Sequence, residues 1–117
     1  MKTLKEKYIE LCLKLDDADN ATDTKKYNQA MRALIKLDKY FEENREEAVF
    51  LVDLLTHENN SVRGHTAVRC YDWGINSKQS LAVMEEIYKN APIGNLRANM
   101  GFKVEMIHGR WIPPHLR

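Results

Sequence analysis

Helix breakers are scarce in this chain: 117 residues hold five glycines and three prolines. That composition disfavours a turn-dense β-sandwich. No apolar run approaches the roughly 18 residues that a membrane-spanning helix needs. The longest, Ala48-Val49-Phe50-Leu51-Val52, is interrupted at Asp53. No apolar signal-peptide core follows Met1-Lys2-Thr3-Leu4-Lys5-Glu6-Lys7, so a cytoplasmic protein is expected. Cys12 and Cys70 stand far apart without CxxC spacing and read as small buried hydrophobes. His57, His65, His108 and His115 show no metal-ligand spacing, and neither metal nor cofactor is expected. The catalytic patterns GxSxG, P-loop and HExxH are missing, as is a paired-carboxylate signature. Asp16, Asp17 and Asp19 lack the glycine and distal glutamate of a calcium loop and read as a turn. The expectation is a protein that is not an enzyme.

Charge of one sign is also lacking, since the formal net charge is +1. The halves differ: residues 1–60 sum to −3 and residues 61–117 to +4. Sums of this size accompany ordinary solvated helix faces. The hydrophobic share of 44% and charged share of 30% are those of a folded globular chain. Its length suits one domain, residues 1–117.

What is present is helical periodicity. Thr3 and Glu6 have the spacing of a capping box, and Leu4, Tyr8, Leu11, Cys12 and Leu15 follow on one face, predicting a helix over 4–17. A polar break over 16–23 precedes a second helix from Thr24 to Glu42, with Tyr27, Ala30, Met31, Leu34, Ile35 and Phe41 inward. Asn44 with Glu47 predicts a cap for a third helix over 45–55, whose run Ala48-Val49-Phe50-Leu51-Val52 also suits a buried strand; the acidic cap and the lack of other strands favour the helix. Ser61 is the expected cap of a fourth helix that ends at Gly74, and Ser77 that of a fifth closed by Asn90 and Pro92. A sixth runs from Asn95 to about Gly109, leaving residues 110–117 as an extended tail. Short connections make neighbouring helices antiparallel.

An internal repeat sharpens the reading. A shift of 34 residues maps Val62, Arg63, Thr66, Ala67, Cys70 and Trp73 onto Leu96, Arg97, Met100, Gly101, Val104 and Ile107. Each set forms one stripe at helical spacing, as stacked helical repeats require. The fold class predicted is all-α, a short α-α superhelix of about six antiparallel helices, with an irregular helical bundle as the alternative. The turn followed by Val62-Arg63 and Ala67 resembles HEAT-type repeats. More closely, the stretch from Lys26-Tyr27-Asn28 through Leu54-Leu55, His57-Glu58-Asn59 and Val62-Arg63 to Trp111 is similar to a family of small bacterial HEAT-like proteins of unknown function. That resemblance implies the superhelix but carries no catalytic residues. His65-Thr66 depart from the small residues usual at those positions.

The stripe places Arg63 and Arg97 inward as structural residues, with Asp53 the expected partner of Arg63. His65 and Arg69 fall on the outward arc, Asn99 and Lys103 beside them after the shift, and Arg110 extends the line. These five form the candidate binding ridge, suited to phosphates or acidic side chains. Tyr71, Trp73 and Phe102 read as packing residues rather than base-stacking platforms. Trp111 with Pro113-Pro114 is expected to fold back over the last repeat's apolar edge. The function expected is a protein-binding or scaffold domain, possible forms including an immunity or antitoxin-like protein. The alternative is a weak nucleic-acid binder using the ridge. No membrane partner is expected, and the oligomeric state is not encoded in any motif.

Overall fold

The computed structural model describes residues 2–110, and among them every element is helical. The chain forms α1 (Leu4–Asn20), α2 (Thr24–Glu43), a 3₁₀ turn (Arg45–Ala48), α3 (Leu51–Leu54), α4 (Asn60–Asp72), α5 (Ser77–Asn90) and α6 (Asn95–Ile107). The all-α class with six helices is therefore as expected. Beyond Arg110, the tail and its covering role lie outside the described residues.

Helix α1 starts as its residues dictate. The Glu6 amide donates to Thr3 Oγ1 at 3.1 Å, and the Thr3 amide donates to Glu6 Oε1 at 3.4 Å. It outruns the expected stop at Asp17 because later parts of the chain hold its acidic end. Asn59 Nδ2 donates to Asp16 Oδ2 at 3.2 Å, and the Asn95 and Leu96 amides donate to the two Asp19 oxygens at 3.2 and 3.3 Å. Asp19 thereby caps α6, whose own N-cap, Gly94, has no side chain to do so.

Three expected caps differ. Over 45–55 the chain forms a 3₁₀ turn and one turn of α-helix, since both capping groups are engaged elsewhere. Asn44 Nδ2 donates to the Tyr40 carbonyl at 2.9 Å, and the Glu47 carboxylate accepts the Tyr40 hydroxyl. Ala48, Leu51, Leu54 and Leu55 are the buried residues of this stretch. In α4 the cap is Asn59, whose Oδ1 accepts from the Ser61 and Val62 amides at 2.8 and 3.1 Å. Ser61 instead lies inside the helix, buried, and donates to the Cys12 carbonyl of α1 at 2.8 Å. In α5, Asn76 precedes the helix in a left-handed conformation, and Ser77 is the first helical residue.

Helix α4 is the centre of the packing. It contacts α1, α3, α5 and α6, while α1 pairs with α2 and α5 with α6. Its buried residues Ser61, Val62, Gly64, Thr66, Ala67 and Cys70 point to more than one side and are mostly small. The repeat-equivalent residues of α6, Met100, Gly101 and Val104, are buried as well. At the other end of the core, Tyr8, Phe41 and Phe50 form a tilted triad with ring centroids 5.5–6.3 Å apart. Of the inward set expected on α2, Ile35 is the exception, at 57% exposure.

Gly101 of α6 packs directly against the Tyr88 ring of α5. A Cβ there would lie 2.5 Å from Tyr88 Cε1 and 2.8 Å from Cδ1. Gly101→Ala is expected to lower stability despite the roughly 1 kcal/mol helix-propensity gain of alanine. In a Tyr88→Ala background the same change should raise stability by about 1 kcal/mol, because only the propensity term remains. Urea titration of the four proteins checks the change of sign.

Three helices end in the same six-residue motif. The Asp23, Ile75 and Arg110 amides each donate 2.8 Å back to the carbonyls of Ala18, Cys70 and Glu105. The left-handed residue is glycine in two of them, Gly74 (φ 73°) and Gly109 (φ 71°), but threonine in the first, Thr22 (φ 53°). A β-branched residue there is strained by about 1–2 kcal/mol. Thr22→Gly should thus stabilise the protein by about 1 kcal/mol, read as a higher urea midpoint at unchanged slope.

Candidate functional site

The ridge residues arise from the register of α4 against α6. His65 and Arg69 lie one turn apart on α4, and Asn99 and Lys103 one turn apart on α6. Together with Met31, Leu34, Ile35 and Asp38 of α2 they line a crevice of about 260 Å³. The structure thus brings four of the five together. Arg110, past the end of α6, is not part of the crevice and grips Glu105 through two contacts of 3.0 and 2.9 Å.

Their charges are largely spent inside the protein. Arg69 reaches Asp72 at 3.3 Å and Asp38 and Glu42 at 3.7 Å each, tying α4 to α2. Lys103 pairs with Asp72 across to α4, and Asn99 Nδ2 donates to the Tyr27 hydroxyl at 3.3 Å. Four carboxylates, Asp38, Glu42, Asp72 and Glu105, thus answer three cations. The arrangement is an interhelical ion network rather than a row of free positive charges.

His65 is half-buried rather than fully outward, because α2 covers that side of α4. Burial, reinforced by the neighbouring Arg69, lowers its pKa to about 4, so the imidazole is neutral. Burial raises Asp38 to about 6; Arg69 opposes this and Glu42 adds to it. Behind Asp38, the Tyr8 hydroxyl and the Thr66 side chain are buried side by side, and Asp38 Oδ1 is buried without a hydrogen-bond partner among the described residues. Burial first, then the charges of Cys12 and Asp38, push the Tyr8 phenol well above its usual range.

The expected pairing of Arg63 with Asp53 is corrected. Asp53 lies exposed on the single turn of α3, while α4 leans on α5, so Arg63 meets Glu86 at 3.0 Å and Asn60 at 2.6 Å. Arg97 is half-buried and has no ion pair among the described residues. Cys12 and Cys70 are free and buried, and burial lifts both thiols, Cys70 to about 11. Neither has the environment of an activated nucleophile. Among the described residues no three His, Cys, Asp or Glu side chains converge to hold a metal ion, and no helix is long and apolar enough to cross a membrane.

A second surface was not apparent from the residue pattern. Between α1 and α2, on the side away from α4, lie two adjoining depressions of about 400 and 600 Å³ that share Leu11, Lys14 and Ala33. Leu37 and Ala30 continue the apolar floor, and Lys7, Lys26 and Lys36 stand on the rim. The available signal was the width of the apolar stripe on the two helices: Leu11, Ala33 and Leu37 are more apolar surface than one packed face consumes. Comparison with protein-family models, curated proteins and solved structures finds no match for this chain.

The crevice has opposing pH dependences. His65 drops from about 6.5 unfolded to about 4 folded, so its stabilising contribution is full above pH 6.5 and lost as pH falls toward 4. Asp38 rises from 3.8 to about 6, so its contribution is full below pH 3.8 and lost as pH rises through 6. His65→Gln should therefore flatten or reverse the acid-side loss of stability between pH 6.5 and 4, and Asp38→Asn should steepen it. Urea unfolding of the three proteins across that window tests both, and superimposable profiles would exclude this account.

Proposed function

We propose that this chain is a non-enzymatic protein-binding domain, a rigid helical scaffold that docks a partner on the outer face of the α1–α2 hairpin. The observation that carries the reading is the apolar groove there, floored by Leu11, Ala33 and Leu37 and left uncovered by α3–α6 among the described residues. Contiguous apolar surface with a polar rim is the usual mark of a protein interface. The alternative of a nucleic-acid ridge has less support, because Arg69, Lys103 and Arg110 are engaged with carboxylates.

The HEAT-like character belongs to the same proposal. In its favour, Val62, Thr66, Ala67 and Cys70 of α4 and Met100, Gly101 and Val104 of α6 are buried at repeat-equivalent positions. An immunity or antitoxin-like protein is one form of this function, in which a preformed helical surface plugs the partner's working site. The setting proposed is the bacterial cytoplasm, consistent with the free thiols of Cys12 and Cys70.

A photo-crosslinking residue at the exposed, groove-lining Gln29 tests the reading in cells. The expected result is a discrete protease-sensitive adduct, absent with the probe at Lys89 and abolished by Leu37→Asp. A nuclease-sensitive adduct, or none, would overturn it.

A further inference from the structure

We infer that the α1–α2 groove receives an acidic amphipathic helix from a partner protein, an inference that rests on the protein-binding reading above. The dimensions suit a helix. The 17 residues of α1 span about 25 Å, and the depressions run from Lys7 and Tyr40 at one end to Ala21 and Asp23 at the inter-helix turn. The floor is aliphatic and built from small or flexible side chains, which fits leucine-type anchors spaced i, i+3, i+4 and i+7 rather than stacked bases.

Charge selects the occupant. Helices α1 and α2 carry acids and lysines in similar number, but several of the acids are drawn away from the groove. Asp16 accepts from Asn59, Asp19 caps α6, and Asp38 and Glu42 face Arg69. Glu10 is on the rim but holds both Lys2 and Lys14. Lys7, Lys26 and Lys36 have no ion pair among the described residues, against two such carboxylates, Asp17 and Asp23, both at the inter-helix-turn end. The end of the rim at Lys7 on α1 and Lys36 on α2 therefore presents unneutralised positive charge on both sides of an apolar floor.

Binding of a labelled synthetic peptide tests the inference. It has about 18 residues, leucine at i, i+3, i+4 and i+7 and glutamate elsewhere. A twin with lysine for glutamate and a thymidine oligonucleotide of similar length serve as comparison probes. Fluorescence anisotropy should show binding of the glutamate peptide alone, with amide shift changes in the NMR spectrum confined to α1 and α2. Joint reversal Lys7→Glu and Lys36→Glu should weaken it by about tenfold or more, and Leu37→Asp should remove it. Where Leu37→Asp loses helical circular dichroism, Ala33→Glu takes its place.

Equal binding of the lysine twin, indifference to charge reversal, or oligonucleotide binding that ignores Leu37→Asp overturns the inference. So does sedimentation of a dimer that Leu37→Asp dissociates. If the glutamate peptide fails while the Gln29 adduct persists and depends on Leu37, the acidic-helix inference falls and the protein-binding reading stands. Loss of the adduct as well removes both.

Discussion

One helix has to touch four others, and most of this structure follows from that demand. A central helix flanked on several sides cannot carry large side chains all round. α4 meets the constraint with Ser61, Gly64, Thr66, Ala67 and Cys70 among its buried positions. A Cβ on Gly64 would already press on Ile87, Leu96 and Met100 at 3.1–3.3 Å. Small residues let backbones approach, and close approach brings polar side chains within reach of neighbouring main chain. The buried Ser61 hydroxyl bonded to Cys12 of α1 is a product of this. So is the reach of Arg69 to α2, which holds the first hairpin against the middle of the molecule.

The division of charge labour between the faces has the same origin. Carboxylates of α1 and α2 that lie near α4 and α6 find partners there: amides at a helix start, a guanidinium, an asparagine. Lysines have longer stems that keep the ammonium in water, and they stay at the water-facing side. A hairpin with balanced composition is thereby polarised, acidic toward the rest of the protein and basic toward solvent. Composition counted along the chain cannot register this, since the sum is unchanged when charges sort by direction.

The fold was legible to the degree that local chemistry decides it. The Thr3–Glu6 box, the ends of α2 and the glycine after α4 need only neighbours in sequence, and they stand where spacing placed them. Competition among adjacent cap formers was not legible. Asn59 and Ser61 are both good caps; Asn59 takes the role while its amide nitrogen is anchored to Asp16, 43 residues away. Asn44 and Glu47 lost theirs to Tyr40. The ridge was half legible for a related reason. A helical wheel fixes the direction in which His65 and Arg69 point, and the repeat correctly set Asn99 and Lys103 beside them. It does not reveal that α2 lies in that direction, bringing Asp38 and Glu42. The groove depends on which elements fail to cover α1 and α2, and no short motif records that.

Asp19 joins the end of the first helix to the start of the last one described, across 76 residues of chain. Solenoid proteins lengthen or shorten readily, because a unit inserted anywhere meets only its immediate neighbours. Here an extra hairpin placed between α2 and α6 would carry Asn95 away from Asp19 and leave the α6 amides without their carboxylate. This contact thus fixes the spacing of chain between the two helices, and an insertion there would act on the start of α6 as well as on its immediate neighbours.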